Sequence, residues 1–191
     1  MDQSSSRTKV RIYYIFIVFE IICLVLLVIT LLNLNSSKHK TNNILIKDGL
    51  IYRSGESTPL TGKVLDTLDN KVILEYDVVN GIKEGQFFIS TLEGKYTVFG
   101  SISANKNVGC WKYFYEDGQI QCSGCYDNDL PTGKWTWFYE NGREMGEGLY
   151  LKGIKVGKWI EYDDTGYPIS FILYQDDEVI NKVEIHKPKM I

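Results

Sequence analysis

The glycines of this chain recur at a fixed interval. Gly85-Gln-Phe, Gly109-Cys-Trp, Gly133-Lys-Trp and Gly157-Lys-Trp stand 24 residues apart, and Gly62-Lys-Val leads them by 23. A constant period of this length marks a tandem array, in which each unit buries its apolar side only against its neighbours. A second glycine follows nine residues later, at Gly94, Gly118, Gly142 and Gly166, preceded by Glu93, Asp117, Asn141 and Thr165. Asp-Gly and Asn-Gly between runs of strand formers signal a hairpin, because its tight turn needs positive φ. The arms Trp111–Tyr115 and Trp135–Tyr139 are dense in aromatic residues, and the return arms end at Ile102, Tyr126, Tyr150 and Tyr174. The fold class is therefore an all-β array, an antiparallel meander of β-hairpins.

The array is expected over 49–185, with units starting near 62, 85, 109, 133 and 157, and a tail over 186–191. Its ends are atypical, as terminal repeats are. Gly49 to Gly62 reads as a degenerate first hairpin whose Pro59-Leu-Thr-Gly62 echoes Leu130-Pro-Thr-Gly133, and Ile169 to Tyr174 and Glu178 to Ile185 read as closing strands.

Ahead of the array lie a tail (1–11), an apolar run (12–34) and a polar linker (35–48). The run is long enough to cross a bilayer as one transmembrane α-helix, since about 20 apolar residues suffice. It is longer than the core of a cleaved signal peptide and ends in Leu32-Asn33-Leu34-Asn35 without a small-residue cleavage site, so an uncleaved anchor is the reading taken. Arg7, Lys9 and Arg11 precede the helix and Lys38, His39 and Lys40 follow it, which favours a cytoplasmic N-terminus by a narrow margin and places the repeat body outside. Glu20, near the middle of the run, is either a functional group or a neutral acid tolerated in a single anchor.

Several functions are disfavoured. Of 21 basic and 24 acidic side chains, three and two precede the linker, which leaves 18 against 22 in the rest, a surface that would repel nucleic acid. The two histidines, His39 and His186, belong to no repeat, so neither a nucleophile–histidine pair nor a metal cluster is suggested. Neither catalytic residues, nor cofactor, nor small-molecule substrate is expected. Glu116-Asp117 and Asp163-Asp164 sit at the expected turns, where Asp is favoured for local backbone bonding, and Asp176-Asp177 is the third acidic pair.

The Cys122-Ser-Gly-Cys125 motif falls on a return strand with its cysteines facing opposite ways, a poor geometry for metal. A two-residue turn at Asp117-Gly118 sets Cys110 across from Cys125, so a Cys110–Cys125 disulfide is expected if the body is exported, and reduced thiols if it is cytoplasmic. The same turn pairs Tyr115 with Ile120, Tyr113 with Cys122 and Trp111 with Gly124, and by analogy Trp135 with Gly148 and Phe87 with Gly100. The competing three-residue turn would slip this register by one, and Glu93 and Thr165, which disfavour positive φ, lend it support.

Strand alternation puts Trp111, Tyr113, Tyr115, Trp135, Trp137, Tyr139 and Trp159 on one side, and Lys112, Lys134, Lys158 and Thr136 on the other with Phe114 and Phe138. The aromatic side either forms the core or contributes a partner-binding surface.

From Gly85 to Gly166 the pattern of glycine, then tryptophan two residues on, then an aromatic and a turn glycine resembles the bacterial variant of the MORN repeat. Proteins of that type are often labelled antitoxin components of the YwqK kind, so the resemblance implies a binding or neutralising role and no chemistry. Two readings follow. One is a membrane-anchored module that holds a protein partner, a toxin or effector that it neutralises. The other is a structural envelope protein that self-associates through its sheet.

Overall fold

The computed structural model describes residues 44–69 and 71–187. Every described residue belongs to one compact unit, Thr41–Ile191. The expected helix at 12–34, with Glu20 and Cys23, lies outside the described residues. Among those described, no helix is long and apolar enough to cross a membrane.

Strands β1 (Ile44–Lys47) and β2 (Leu50–Arg53) form a small antiparallel hairpin. Eleven more build one sheet: β3 (Gly62–Leu68), β4 (Val72–Val79), β5 (Ile82–Thr91), β6 (Tyr96–Ser103), β7 (Lys106–Phe114), β8 (Ile120–Asp127), β9 (Leu130–Phe138), β10 (Glu144–Leu151), β11 (Ile154–Tyr162), β12 (Pro168–Gln175) and β13 (Glu178–Glu184). They lie side by side in chain order, the meander that the repeat pattern implies.

The start of the array differs from expectation. β1 falls inside the stretch 35–48 read as linker, and Asp48-Gly49, both at positive φ, closes a separate hairpin on β2. The turn chemistry overrides the polar composition before it. Pro59 only bridges Tyr52, while the Leu60 N–H donates to the Ile51 carbonyl at 2.8 Å and the Gly81 N–H to the Leu60 carbonyl at 2.7 Å. These bonds seat Ile51 and Leu60 against Val64, Tyr76 and Val78 and cover the first unit's apolar face.

The two ends of the hairpins use different turns. At one end two-residue turns recur every 24 residues, at Asn80-Gly81, Ala104-Asn105, Asn128-Asp129, Lys152-Gly153 and Asp176-Asp177, with both residues at positive φ. Left-handed backbone costs an ordinary residue about 1–2 kcal/mol, and here it is offset by bonds to the preceding unit. Asn105, Asp129 and Asp177 each accept, through Oδ1, the N–H of Lys83, Asn107 and Lys155 at 2.7, 2.7 and 2.6 Å.

At the other end the expectation of a two-residue Asp117-Gly118 turn is overturned. Only the glycines have positive φ; the Gly118 N–H donates to the Tyr115 carbonyl at 2.9 Å and the Tyr115 N–H to the Gln119 carbonyl at 2.8 Å. This is the three-residue turn with a glycine bulge, which accounts for Glu93 and Thr165 before their glycines. Ile120 accordingly pairs with Phe114 and not with Tyr115. One residue later a second bulge, at Gln121, restores the offset, so Tyr113 faces Cys122 and Trp111 faces Gly124. Thr97, Met145 and Ile169 repeat that bulge, so Phe87 faces Gly100 and Trp135 faces Gly148. The expected register thus arises from two compensating irregularities.

Candidate functional site

The aromatic face is the most elaborate feature of the array, and its geometry begins with an irregularity. Between β6 and β7 the single residue Gly100 is opposed by three, Gly109, Cys110 and Trp111. Gly109, at φ 65, permits the excursion, which swings Trp111 across onto the neighbouring strand. A Cβ on Gly100 would stand 2.1 Å from the Trp111 ring, and one on Gly124 or Gly148 would stand 2.0 Å from Trp135 or Trp159. Each indole therefore lies flat on the glycine of the unit before it. The glycine paired across the hairpin, Gly124 for Trp111, instead receives the next unit's ring.

Tyrosines fill the spaces between the indoles. Tyr126 stands edge-on between Trp111 and Trp135 at 5.9 and 5.1 Å, and Tyr150 between Trp135 and Trp159 at 6.1 and 5.1 Å. Tyr174 closes the row against Trp159 at 5.5 Å. Edge-to-face pairs at these spacings are each worth about 0.5–1.5 kcal/mol beyond the area they bury. One sheet layer covers its own apolar side in this way: Trp111 and Trp135 are 4% exposed, Trp137 and Trp159 8%.

This corrects the assignment of Trp111, Trp135, Trp137 and Trp159 as a partner surface, because rings lying on backbone and walled by tyrosines have little area to offer. Of the other side chains grouped with them, Tyr113 is half-buried with its hydroxyl 3.3 Å from that of Tyr126. The Tyr115 hydroxyl donates to the Phe138 carbonyl at 2.6 Å and the Tyr139 hydroxyl to the Tyr162 carbonyl at 2.8 Å. Burial pushes the Tyr139 hydroxyl up to about 12 and raises that of Tyr115, so both stay protonated donors that staple one unit to the next.

Cys110 and Cys125, paired in register, are joined by a disulfide across β7 and β8, with a Cα–Cα distance of 3.9 Å. Cys122 lies three positions away on the aromatic face, fully buried. The sheet separates its thiol from the disulfide, which blocks exchange between them. Among the array cysteines of the oxidised native protein, none should react with a maleimide. After unfolding in denaturant without reductant, Cys122 alone should react. Labelling of Cys110, Cys122 and Cys125 together, three thiols per chain in that sample, would show the disulfide to be absent.

Among the described residues there is no group of three or more His, Cys, Asp or Glu side chains able to hold a metal. The acidic pairs sit in turns: Asp117 Oδ1 accepts the Gln119 N–H at 2.9 Å, and Asp163 Oδ1 accepts those of Thr165 and Tyr167 at 2.9 and 3.0 Å. Bonds from Lys187, Thr165 and Tyr167 outweigh the opposing effect of burial and hold the Asp163 carboxyl down at about 2. Asp176 and Asp177 form a two-residue turn.

The "MORN repeat variant" family matches residues 107–128 and 131–151, the two units with the complete tryptophan–glycine pairing. Those two segments match the MORN-variant repeat. No curated protein matches it. Among solved structures it is similar to the crystal structure of a mutant S. aureus TarM in complex with fondaparinux, alpha-GlcNAc-glycerol and UDP, at 12% identity and a TM-score of 0.28. That likeness covers 50% of this chain and 21% of the other.

With the aromatic face consumed by packing, the opposite face is the one left to solvent. Lys134 pairs there with Glu147, and Lys158 lies 3.6 Å over the Phe171 ring. In the last units the same face carries Leu149 (46% exposed), Leu151 (59%), Ile154 (39%) and Leu173 (40%). Leu149 and Leu151 pair directly with Val156 and Ile154, and Leu173 with Lys158 on the next strand, so these side chains adjoin. The sequence reading missed this patch because aliphatic residues in a strand look alike from either side. The signal available was the change at one repeat position, from Cys125 to Leu149 and Leu173.

Proposed function

We propose that this chain is a non-enzymatic binding module, anchored to a membrane by its N-terminal apolar segment, with the repeat body outside the cytoplasm. MORN repeats are generally protein- or membrane-binding modules. The observation that carries the protein-binding reading is the exposed patch of Leu149, Leu151, Ile154 and Leu173, on the face opposite the packed tryptophans. The resemblance to YwqK-type antitoxin components supplies the partner class, a toxin or effector protein that the module neutralises. A disulfide across β7 and β8 favours an oxidising compartment, in keeping with a body on the outer side.

Full-length protein solubilised from its native membrane should retain a partner that the Leu149→Lys/Leu173→Lys variant releases, with both proteins equally stable to urea. Recovery of the same proteins with the unsubstituted and the substituted chain would sink the patch as the docking surface. Recovery of nothing but further copies of the chain favours the second reading, an envelope scaffold that self-associates. That reading has its own support in the exposure of every residue of β13.

A further inference from the structure

The Cys110–Cys125 bridge is an addition to the repeat. At the same two positions the other units carry Gln86 and Ser101, Lys134 and Leu149, and Lys158 and Leu173, each pair directly opposed in the same hairpin register. Those hairpins hold their register with no covalent tie. The β7–β8 hairpin is also closed by other means, through the Tyr115 N–H donating to the Gln119 carbonyl at 2.8 Å and through the seat of Trp135 on Gly124. A bridge between opposed residues of a hairpin already in register restricts few further conformations of the chain. The repeat itself does not require it.

We propose that Cys110 and Cys125 form a thiol–disulfide exchange site, reduced by a dithiol on the folded array, with Cys110 the sulfur attacked. In exchange a thiolate attacks one sulfur in line with the bond that breaks, so access behind that sulfur decides the site. The bulge leaves this side of Cys110 open. Phe99 pairs with Lys112 and Ser101 with Val108, so no residue of β6 opposes Cys110, which is exposed. Gly109 beside it has nothing within 4 Å of where a Cβ would stand. Cys125, by contrast, is half-buried and opposed on its outer side by Thr132. Charge acts in the same sense: exposed Lys112, two residues along β7 from Cys110 on the same face, attracts an incoming thiolate, and Asp127, in the same relation to Cys125, repels it.

Two exchanges complete the reduction. One thiol of the dithiol gives up its proton and bonds to Cys110 Sγ as the S–S bond breaks, and Cys125 leaves with the electron pair as a thiolate that takes up a proton. The second thiol of the dithiol then gives up its proton and attacks the sulfur its own molecule has bonded to Cys110, which releases Cys110 as a thiol. Two electrons and two protons pass to the chain, and the dithiol becomes a disulfide. Cys122 takes no part, because it is fully buried on the opposite face. The reverse path, with an external disulfide as oxidant, restores the bridge, since the register keeps Cys110 opposite Cys125. The site works whichever surface the array uses to bind a partner.

Full-length protein in detergent micelles, carrying Cys23→Ser, can be treated with dithiothreitol and then with a maleimide. Cys110 and Cys125 should be labelled while Cys122, buried in the aromatic face, stays unlabelled and so reports that the array has not unfolded. The rate of reduction should rise in proportion to dithiothreitol and change less than about two-fold per molar of urea below the unfolding transition, whereas a bridge reached only by global opening would be reduced at least about five-fold faster per molar. Glutathione applied briefly and quenched with acid should be found in mixed disulfide on Cys110. Cys110→Lys/Cys125→Leu, which copies the pair in the next unit, should fold with Cys122 still protected. Labelling of Cys122 along with the other two, a rate that climbs with urea as opening does, or glutathione chiefly on Cys125 overturns the proposal. Loss of Cys122 protection in the Lys/Leu variant overturns it as well, because the bridge would then be a requirement of the fold.

Discussion

Gly124→Ala will destabilise the array by about 3 kcal/mol or more, although it adds a single methyl group. The new Cβ would stand 2.0 Å from Cδ2 and 2.2 Å from Cε2 of Trp135, distances that real side chains do not reach. The ring cannot swing aside, because Tyr126 and Tyr150 stand edge-on against it at 5.1 and 6.1 Å and its Nε1 donates to the Cys125 carbonyl at 3.2 Å. Relief requires the two strands to part, which sacrifices ladder bonds. For a chain of this size the loss corresponds to a fall in Tm of roughly 6–12 °C, read by calorimetry. Gly148→Ala should match it. A change in Tm below about 2 °C for both would mean that the indoles do not rest on these glycines.

The second large effect comes from the other half of the same contact. Trp135→Ala should cost about 3–5 kcal/mol, the usual range for emptying a buried aromatic site. The loss removes contacts to Tyr126, Trp137 and Tyr150 together and leaves the Cys125 carbonyl without its indole donor. Combined with Gly124→Ala it should be far less than additive, since the methyl group then occupies space the indole has vacated. Urea unfolding of the two single variants and the double variant gives the coupling directly. Additive losses would mean that Gly124 and Trp135 act independently, against the geometry. The end of the row supplies a natural control: Ile172 takes the glycine's place where Val183 follows in place of a tryptophan. A large side chain is tolerated only where no indole arrives.

Much of this fold was legible in the residues alone, and the reason is repetition. A period of 24, glycines at fixed offsets and strand-forming arms determine an antiparallel hairpin array, because each signal is local and is stated several times over. The pairing of Trp111 with Gly124 was readable for the same reason, although by a turn that does not exist: the three-residue turn at Gly118 and the bulge at Gln121 cancel, and sequence counting sees only their sum. The two-residue turns at Ala104-Asn105 and Asp176-Asp177 were hidden, since their positive φ is sustained by hydrogen bonds from a neighbouring unit 22 residues away. Only the tertiary structure decided which glycine each indole covers, because the excursion at Gly109 carries Trp111 past its hairpin partner to Gly100, on the strand before. That choice also settled which face is used up. Seven aromatic side chains in alternation could have formed a core or a docking surface. Close contact between rings and backbone made the tryptophans core, and left exposed the aliphatic side chains at Leu149, Leu151 and Leu173, whose direction depends on bulges that no local pattern announces.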